Sequence, residues 1–496
     1  FYSFIFLPFI SYYFLRKGIL FGDFKNLDEL LYALGNFSSY TIYFLVVLFL
    51  ILIFATNIRF FKFKILLLQI ALGIVIVFSF INPKSFEKFF YPTKPYVEDF
   101  NVSAAFRFIG PVDAFFYNYL NTLSFERNLL INNELMKYVD FRNFDLNKYN
   151  KNQNIHIILI ESFIDPTNFN LIEIGKNIIP NQWIRYKSEN LFYGISPVSG
   201  GGSAQAEFEV LCGAPSILAY GTEFNRIGDN PTSCLPNYLK KYGYKTIASQ
   251  AMYGSFFNIE RAYKSIGFDE SYLAPDLDMT DKNNGWLSDE SFFIQHFELI
   301  KESIVDEKPI LNYLFAVGCH SGLGQNQSYE LMIKYPESKI LEDFLNCNTK
   351  SLQHLVNYVN KIKNLDPNSL IIILPDHIPP GIPATSYINA GYSCDISKNL
   401  ICERKVEVIF IGNSVDTEIK EKNFSYYELP EIIINYVSNK NLCKKVKCSI
   451  NSDQISINGN IVDRENLKSS SNQSLSIYYK ELYLSILRES WINQND

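Results

Sequence analysis

The sequence predicts an α/β domain with a mostly parallel central sheet flanked by helices, carried behind N-terminal transmembrane helices. Three observations predict it. Two long uncharged apolar runs stand before residue 83; short apolar runs alternate with charged, helix-period stretches from about residue 151; and all eight cysteines lie after residue 211. With 496 residues, 48% of them hydrophobic and 16% aromatic, the chain is long enough for two or three domains and too apolar for a disordered one. A formal net charge of −6 argues against a nucleic-acid partner.

Residues 1–83 read as transmembrane helices. YTIYFLVVLFLILIFAT (40–56) and ILLLQIALGIVIVFSFIN (65–82) run 17 and 18 residues without a charge, near the shortest length that spans a bilayer. FYSFIFLPFISYYFL, at 1–15, is a candidate third span. The chain opens on Phe1 rather than a methionine, so a truncated N-terminus and further spans ahead of it are expected. The link NIRFFKFK carries Arg59, Lys62 and Lys64, which puts it on the cytoplasmic side and sends the chain outward after residue 82. Arg16 and Lys17 then fall on the outer side, against that rule. The cysteines support the outward orientation independently. Two close pairs, CDISKNLIC and CKKVKC, fit disulfides in an oxidising compartment, and no CxxC or cysteine–histidine cluster of zinc spacing competes with them. The partners of Cys212, Cys234, Cys319 and Cys347 stay open.

Residues 84–150 mix aromatic patches with charge and read as a juxtamembrane segment of amphipathic helices, lying at the lipid interface or packed as an arm on the next domain. From 151 to 455 the pattern is that of the α/β domain. NIHIILI, NLFYGI, YKTIAS, ILNYLFAV, SLIIILP and VEVIFIG are buried strands, and the helical stretches between them imply parallel crossovers. Residues 456–496 read as a polar loop and a terminal amphipathic helix, SIYYKELYLSILRESW, with no functional signal.

Active sites of such sheets gather beyond the carboxyl ends of the strands. Glu161 follows NIHIILI directly, Asp376 and His377 follow SLIIILP, and His320 comes shortly after ILNYLFAV. Each alone is unremarkable, since an acid at a strand end is commonly a helix cap and a lone histidine commonly structural. Together they place two of only five histidines at strand ends. His156, His296 and His354, inside a strand and two helices, read as structural. Carboxylates with an imidazole make a donor set suited to manganese or zinc. GGGSAQAEFEVLCG, from Gly200 to Gly213, then offers a hydroxyl: Ser203 opens a helix behind three glycines. A helix N-cap is the simpler reading of that serine alone. The sharper reading makes Ser203 a metal ligand and nucleophile, with the glycines and the helix N-terminus accommodating a phosphate. His320 is left to protonate a leaving group or activate an acceptor.

The ordered set Glu161-Ser-Phe, Ser203-x-x-x-Glu207-Phe208, His320 and Asp376-His377 resembles the extracellular domain of the lipoteichoic acid synthase and phosphoglycerol transferase family, within the alkaline phosphatase and sulfatase superfamily. The resemblance covers roughly residues 151–415. It implies an alkaline-phosphatase/sulfatase-like fold, with Ser203 at the position of the family's threonine nucleophile in a motif like K-T-S-D-S-E-F. Glu161, Asp376 and His377 match its metal ligands, the metal being typically manganese, with zinc the second choice. His320 matches a histidine that binds the phosphoglycerol group. The family's F-W-N-R motif stands here as FFNIER: Phe257 replaces the tryptophan, Asn258 matches, Ile259 holds the arginine position, and Arg261 is displaced by two. Asn258 and Arg261 are therefore the remaining candidates for substrate binding. NGWLSDESFF, with Trp286 and Asp289, resembles a segment of related glycan-modifying members and carries no assigned role. The sulfatase motif C/S-x-P-x-R is missing: Ser203-Ala-Gln-Ala-Glu holds neither the proline nor the arginine, which argues against sulfate ester hydrolysis.

The expectation is a multi-pass enzyme of a bacterial inner membrane, its catalytic domain facing the periplasm or cell exterior. It would move phosphoglycerol from a donor phospholipid, phosphatidylglycerol, to a glycan or glycolipid acceptor through a covalent Ser203 intermediate. Two alternatives stand beside it. One is a phosphoethanolamine transferase of the same superfamily; the other is a catalytically silent glycan-binding membrane protein, which predicts a site without metal and no effect of Ser203→Ala.

Overall fold

Six of the eight strands in the central sheet are the apolar runs read from the sequence. The computed structural model describes residues 141–148, 153–175, 178–217, 222–283, 285–320, 332–394, 400–412, 422–445 and 448–491. The chain divides into two units, residues 1–134 with 218–225 and residues 135–217 with 226–496, and the architecture that follows is that of the second. Its strands are β1 (Ile155–Ile160), β2 (Leu191–Ile195), β3 (Lys245–Gln250), β4 (Glu270–Tyr272), a hairpin of β5 (Lys282–Asn283) and β6 (Trp286–Leu287), β7 (Ile310–Ala316), β8 (Leu370–Pro375), β9 (Lys405–Ile411), β10 (Asn423–Ser425), and a second hairpin of β11 (Gln454–Ile457) and β12 (Asn460–Asp463). The main sheet runs β10-β2-β9-β8-β1-β7-β3-β4. Every pair in it is parallel except those made by β9, which runs against both β2 and β8.

The central strands are buried along their whole length, as continuous Ile- and Leu-rich runs require. Ile160 of β1 sits level with Ala316 of β7 and Pro375 of β8, so the residues that follow all three leave the sheet at one edge. The edge strands β4 and β10, three residues each, were too short to show a period. The VEVIFIG run is a strand as expected, but its antiparallel course points its carboxyl end to the opposite edge.

Helices of eight residues or more among the described residues are α1 (Asn181–Asn190), α2 (Ser203–Cys212), α3 (Ile259–Ile266), α4 (Asp289–Ile304), α5 (Lys339–Leu365), α6 (Leu429–Val437) and α7 (Gln473–Trp491). α2 is buried from Ala204 to Cys212. It is held from the far end of the chain, where Tyr483 of α7 meets Phe208 edge-on at 5.7 Å. α7 also returns to the domain through Trp491 Nε1, which donates to the Arg226 carbonyl at 2.6 Å. The stretch before it, expected to be a loop, contains the β11–β12 hairpin. Its two-residue turn is Asn458-Gly459, with φ of 52° and 83°, the pairing that a tight hairpin favours.

Four disulfides tie the domain: Cys212–Cys234, Cys319–Cys347, Cys394–Cys402 and Cys443–Cys448. The two close pairs expected from spacing are the last two. No helix among the described residues is long and apolar enough to cross a membrane. The spans expected in 1–83 lie outside the described residues, as does the juxtamembrane segment up to residue 140. The end of that segment is packed as an arm: Phe141 and Leu146 are buried, and Tyr238 OH donates to the Phe144 carbonyl.

Candidate active site and metal centre

Two adjacent parallel strands force two acids together. Glu161 leaves β1 with its N–H donating to Ala316 of β7 (2.9 Å), and Asp376 leaves β8 with its N–H donating to Ile160 (3.1 Å). Ser162 then turns with φ of 51°, a left-handed conformation that costs a non-glycine residue about 1–3 kcal/mol. The turn lets one residue serve both acids. Its hydroxyl donates to Glu161 Oε1 (2.7 Å), and its amide donates to Asp376 Oδ1 (2.8 Å). The sequence offered Ser162 only as the middle of Glu-Ser-Phe, without a role. Ser162→Ala keeps the Cβ and the strain but removes the bond to Glu161. It should weaken divalent-cation affinity roughly 10-fold or more, the usual cost of losing a partner that orients a ligand. Titration calorimetry with Mn2+ checks this, and an unchanged affinity would mean that Glu161 is oriented without it.

His377 completes the group. Its Nδ1 lies 2.8 Å from the Ile378 carbonyl, which fixes the proton there and leaves the Nε2 lone pair facing inward. Nε2 stands 3.2 Å from Asp376 Oδ2 and 3.8 Å from Glu161 Oε1, and accepts the Gly201 amide at 3.1 Å. Asp376 Oδ2 is buried without a hydrogen-bond partner, since the nitrogen opposite it carries no proton in this tautomer. Burial pushes the Asp376 carboxyl up to about 7, with the Glu161 charge adding to it and His377 and Ser203 opposing. Burial alone would lower His377, but Asp376 and Glu161 outweigh it and the net shift is upward. Glu161, Asp376 and His377 thus turn three ligand atoms, all within 4.8 Å of one another, into one buried space. Converging lone pairs with an orphaned carboxylate oxygen fit a divalent cation held by oxygen and nitrogen donors.

Ser203 stands beside this group and is not the helix cap. Gly202, in the left-handed region at φ 72°, holds the cap position of α2, so Ser203 is the first helical residue and its side chain is released from capping. Its Oγ donates to Glu161 Oε2 at 3.3 Å. The glycine run is required sterically as well: a Cβ on Gly200 would meet Pro380 Cβ at 2.7 Å. One turn further, buried Glu207 accepts from Tyr263 OH (2.7 Å) and Tyr313 OH (2.9 Å), binding α2 to α3 and β7. Burial raises its carboxyl to about 8 against the opposing pull of those two hydroxyls.

The remaining candidates are not among the three converging ligand residues. His320 lies four residues beyond β7, its ring 4.5 Å from that of Trp286. Asn258 follows β3, in the left-handed region (φ 60°) together with Phe257 (φ 49°), at the start of α3. Both stand in loops that leave the sheet at the edge carrying Glu161 and Asp376. Arg261, expected to grip a phosphate, is already matched: Asp229 accepts from its Nε (2.9 Å) and Nη2 (3.1 Å), and the guanidinium lies over the Trp491 ring. The two-residue displacement from the family's position has turned it toward α7. His156 and His296 are buried structural histidines, each lowered to about 3 by burial.

Fold and site define an α/β domain that holds a helix-borne serine against a carboxylate–imidazole cluster. Residues 153–398 match the Sulfatase family model, so the chain carries a domain of the sulfatase family. Lipoteichoic acid synthases of Staphylococcus aureus, that of strain NCTC 8325 among them, are 30% identical over 166 residues, 32% of this chain and 25% of theirs. The match therefore spans a quarter of the length of those curated relatives. Among solved structures, a lipoteichoic acid synthase from Listeria monocytogenes is 17% identical with a TM-score of 0.49, covering 69% of this chain and 91% of its own. A Streptococcus pyogenes phosphoglycerol transferase in complex with sn-glycerol-1-phosphate is 13% identical with a TM-score of 0.48, covering 75% and 92%. The family-model match includes Glu161, Ser203, His320, Asp376 and His377, the positions on which the resemblance rests.

Proposed function

We propose that this chain is a metal-dependent transferase that moves a phosphoglycerol head group from a membrane phospholipid to a cell-envelope glycan or lipid acceptor. The observation that carries the reading is the placement of Ser203 Oγ, freed from capping, 3.3 Å from Glu161 in the Glu161–Asp376–His377 cluster. Manganese is the proposed cation, held by Glu161, Asp376, His377 and Ser203. When bound it would act as a Lewis acid that lowers the serine pKa and draws charge from a phosphoryl oxygen. In the first half-reaction Ser203 Oγ bonds to the donor's phosphorus as the bond to the diacylglycerol oxygen breaks. The serine proton is released to solvent, and His320 protonates the leaving oxygen. An acceptor hydroxyl then attacks the phosphorus and gives its proton to His320, while Ser203 Oγ leaves and regains a proton from solvent. Residues 151–455 form the catalytic domain in this reading, and the apolar segments of 1–83 anchor it in a bacterial inner membrane. Four disulfides favour its facing the periplasm or exterior. Anchoring keeps the site within reach of a substrate confined to the bilayer.

A phosphoethanolamine donor is the second reading. It is favoured by Ile259 at the family's arginine position and by the Arg261–Asp229 pair, which leave the head-group grip unlike that of the family motif. Intact-protein mass spectrometry on the wild-type chain, incubated without acceptor and with Mn2+ and either phosphatidylglycerol or phosphatidylethanolamine, separates the two. A glycerophosphoryl adduct is expected. An ethanolamine-phosphate adduct would keep the mechanism and replace the donor, and no adduct with either lipid would overturn both readings.

A further inference from the structure

The segment from Trp286 to Asp289 has no part in the reaction above, yet it grips the loop that carries His320. The Trp286 ring, on β6, lies 4.5 Å from the His320 imidazole at an interplanar angle of 41°. Three residues on, Asp289 opens α4 and is buried. Its Oδ1 accepts the Gly318 amide (2.9 Å), and its Oδ2 accepts Ser351 Oγ of α5 (2.5 Å). The approach is so close that a Cβ on Gly318 would meet Asp289 Oδ1 at 2.6 Å, so only glycine admits it. Next along the loop, Cys319 is bonded to Cys347 of α5. A polar cavity of about 280 Å³, lined by Asp289, Gly318, Cys319, Cys347 and His354 among others, lies against this loop. Trp286 and Asp289 thus reach this loop from one short segment, 34 and 29 positions before the residues they meet, while Cys347 reaches it from α5.

We propose that Trp286 and Asp289 are positioning residues for His320, Asp289 fixing the loop backbone through Gly318 and Trp286 fixing the plane of the imidazole where it meets the head group. The proposal rests on the transfer reaction above for its kinetic consequence, but its geometric content stands without it. Trp286 does not need to touch the substrate for this role; it acts through His320.

The test is a double-mutant cycle on the full chain with vesicles of phosphatidylglycerol and Mn2+. Ser203-linked adduct formation is followed by mass spectrometry in wild type, Trp286→Ala, His320→Ala and the double variant. Trp286→Ala should slow adduct formation about tenfold, Trp286→Phe should restore most of it, and Trp286→Ala should add less than about twofold once His320 is alanine. Thermal midpoints of all variants separate these effects from loss of fold. Gly318→Ala, which displaces the loop without touching the hairpin, should reproduce the tenfold loss. An undiminished Trp286→Ala effect in the His320→Ala background, or no effect in wild type, would overturn the proposal. If wild type forms no Ser203 adduct, it is the functional reading that fails, and a crystal structure of Trp286→Ala decides the positioning. A His320 ring turned from its place supports it, and an unmoved ring overturns it.

Discussion

Ser203→Ala should abolish the covalent adduct and lower transfer roughly a million-fold, on the scale of losing a hydroxyl nucleophile from an otherwise intact site. The expectation follows from what the hydroxyl does in the structure. Gly202 takes the cap position, so the side chain of Ser203 adds nothing to the capping of α2, and its hydroxyl donates to Glu161 Oε2 in the cluster. Alanine at the first position of a helix is a good helix former, and the helix beyond it is buried and held by Glu207 and Phe208. The fold should therefore survive while chemistry is lost, and cation affinity should fall because one of the four proposed ligands is removed. Ser203→Thr should retain activity, since threonine keeps the hydroxyl on the same Cβ. The measurements are the transfer rate and the intact mass after incubation with donor lipid. A Ser203→Ala protein keeping more than about a hundredth of the wild-type rate would falsify the nucleophile assignment. One with no phenotype, and without bound metal in the wild type, would favour a silent glycan-binding protein.

The central strands and the convergence of Glu161 with Asp376 were legible for one reason: buried parallel strands must be continuous apolar runs, and their ends show in the sequence as the first polar residue. Glu161 and Asp376 are such residues, and the sheet register alone brings them together. What was not legible depends on conformation or on long-range contact. Ser203 sits in the sequence where a cap would, and only the left-handed Gly202 moves it to the first helical position. The role of Ser162 rests on a backbone turn that serines seldom adopt. β9 reads as one more strand because apolar content does not carry direction. The partner of Trp286 stands 34 residues away, and that of Arg261 stands 32 residues before it. The Asn458-Gly459 hairpin is a different case, because its turn pair stands in the sequence within a polar stretch that reads as a loop.

Asp376→Asn should have opposite effects on stability and on metal binding. Without a cation, Asp376 faces Glu161 and the His377 lone pair with an unsatisfied Oδ2. Its folded-state pKa, about 7 against an ordinary 3.8, means that the folded protein holds the proton more tightly than the unfolded chain does. The stability this gives is fully present below about 4, is lost as pH rises toward 7, and changes no further above it. The ionised carboxylate therefore costs the metal-free protein up to roughly 4 kcal/mol at pH 8, at 1.36 kcal/mol per pH unit. Asparagine removes that charge and fits the same contacts. Its oxygen can accept the Ser162 and His377 amides that now reach Oδ1, and its amino group can donate to His377 Nε2. Metal-free Asp376→Asn should consequently melt above the metal-free wild type at pH 8, with the gap closing as pH falls to 5. Mn2+ should raise the melting temperature of the wild type, more at pH 8 than at pH 6, because binding must displace the Asp376 proton. The variant should lose this response along with transfer. Calorimetric melting of both proteins, with chelator and with Mn2+, at pH 5, 6 and 8, reads every arm. A metal-free variant less stable than wild type at pH 8 would mean that Asp376 is already satisfied without a cation, and the centre would have to be sought elsewhere.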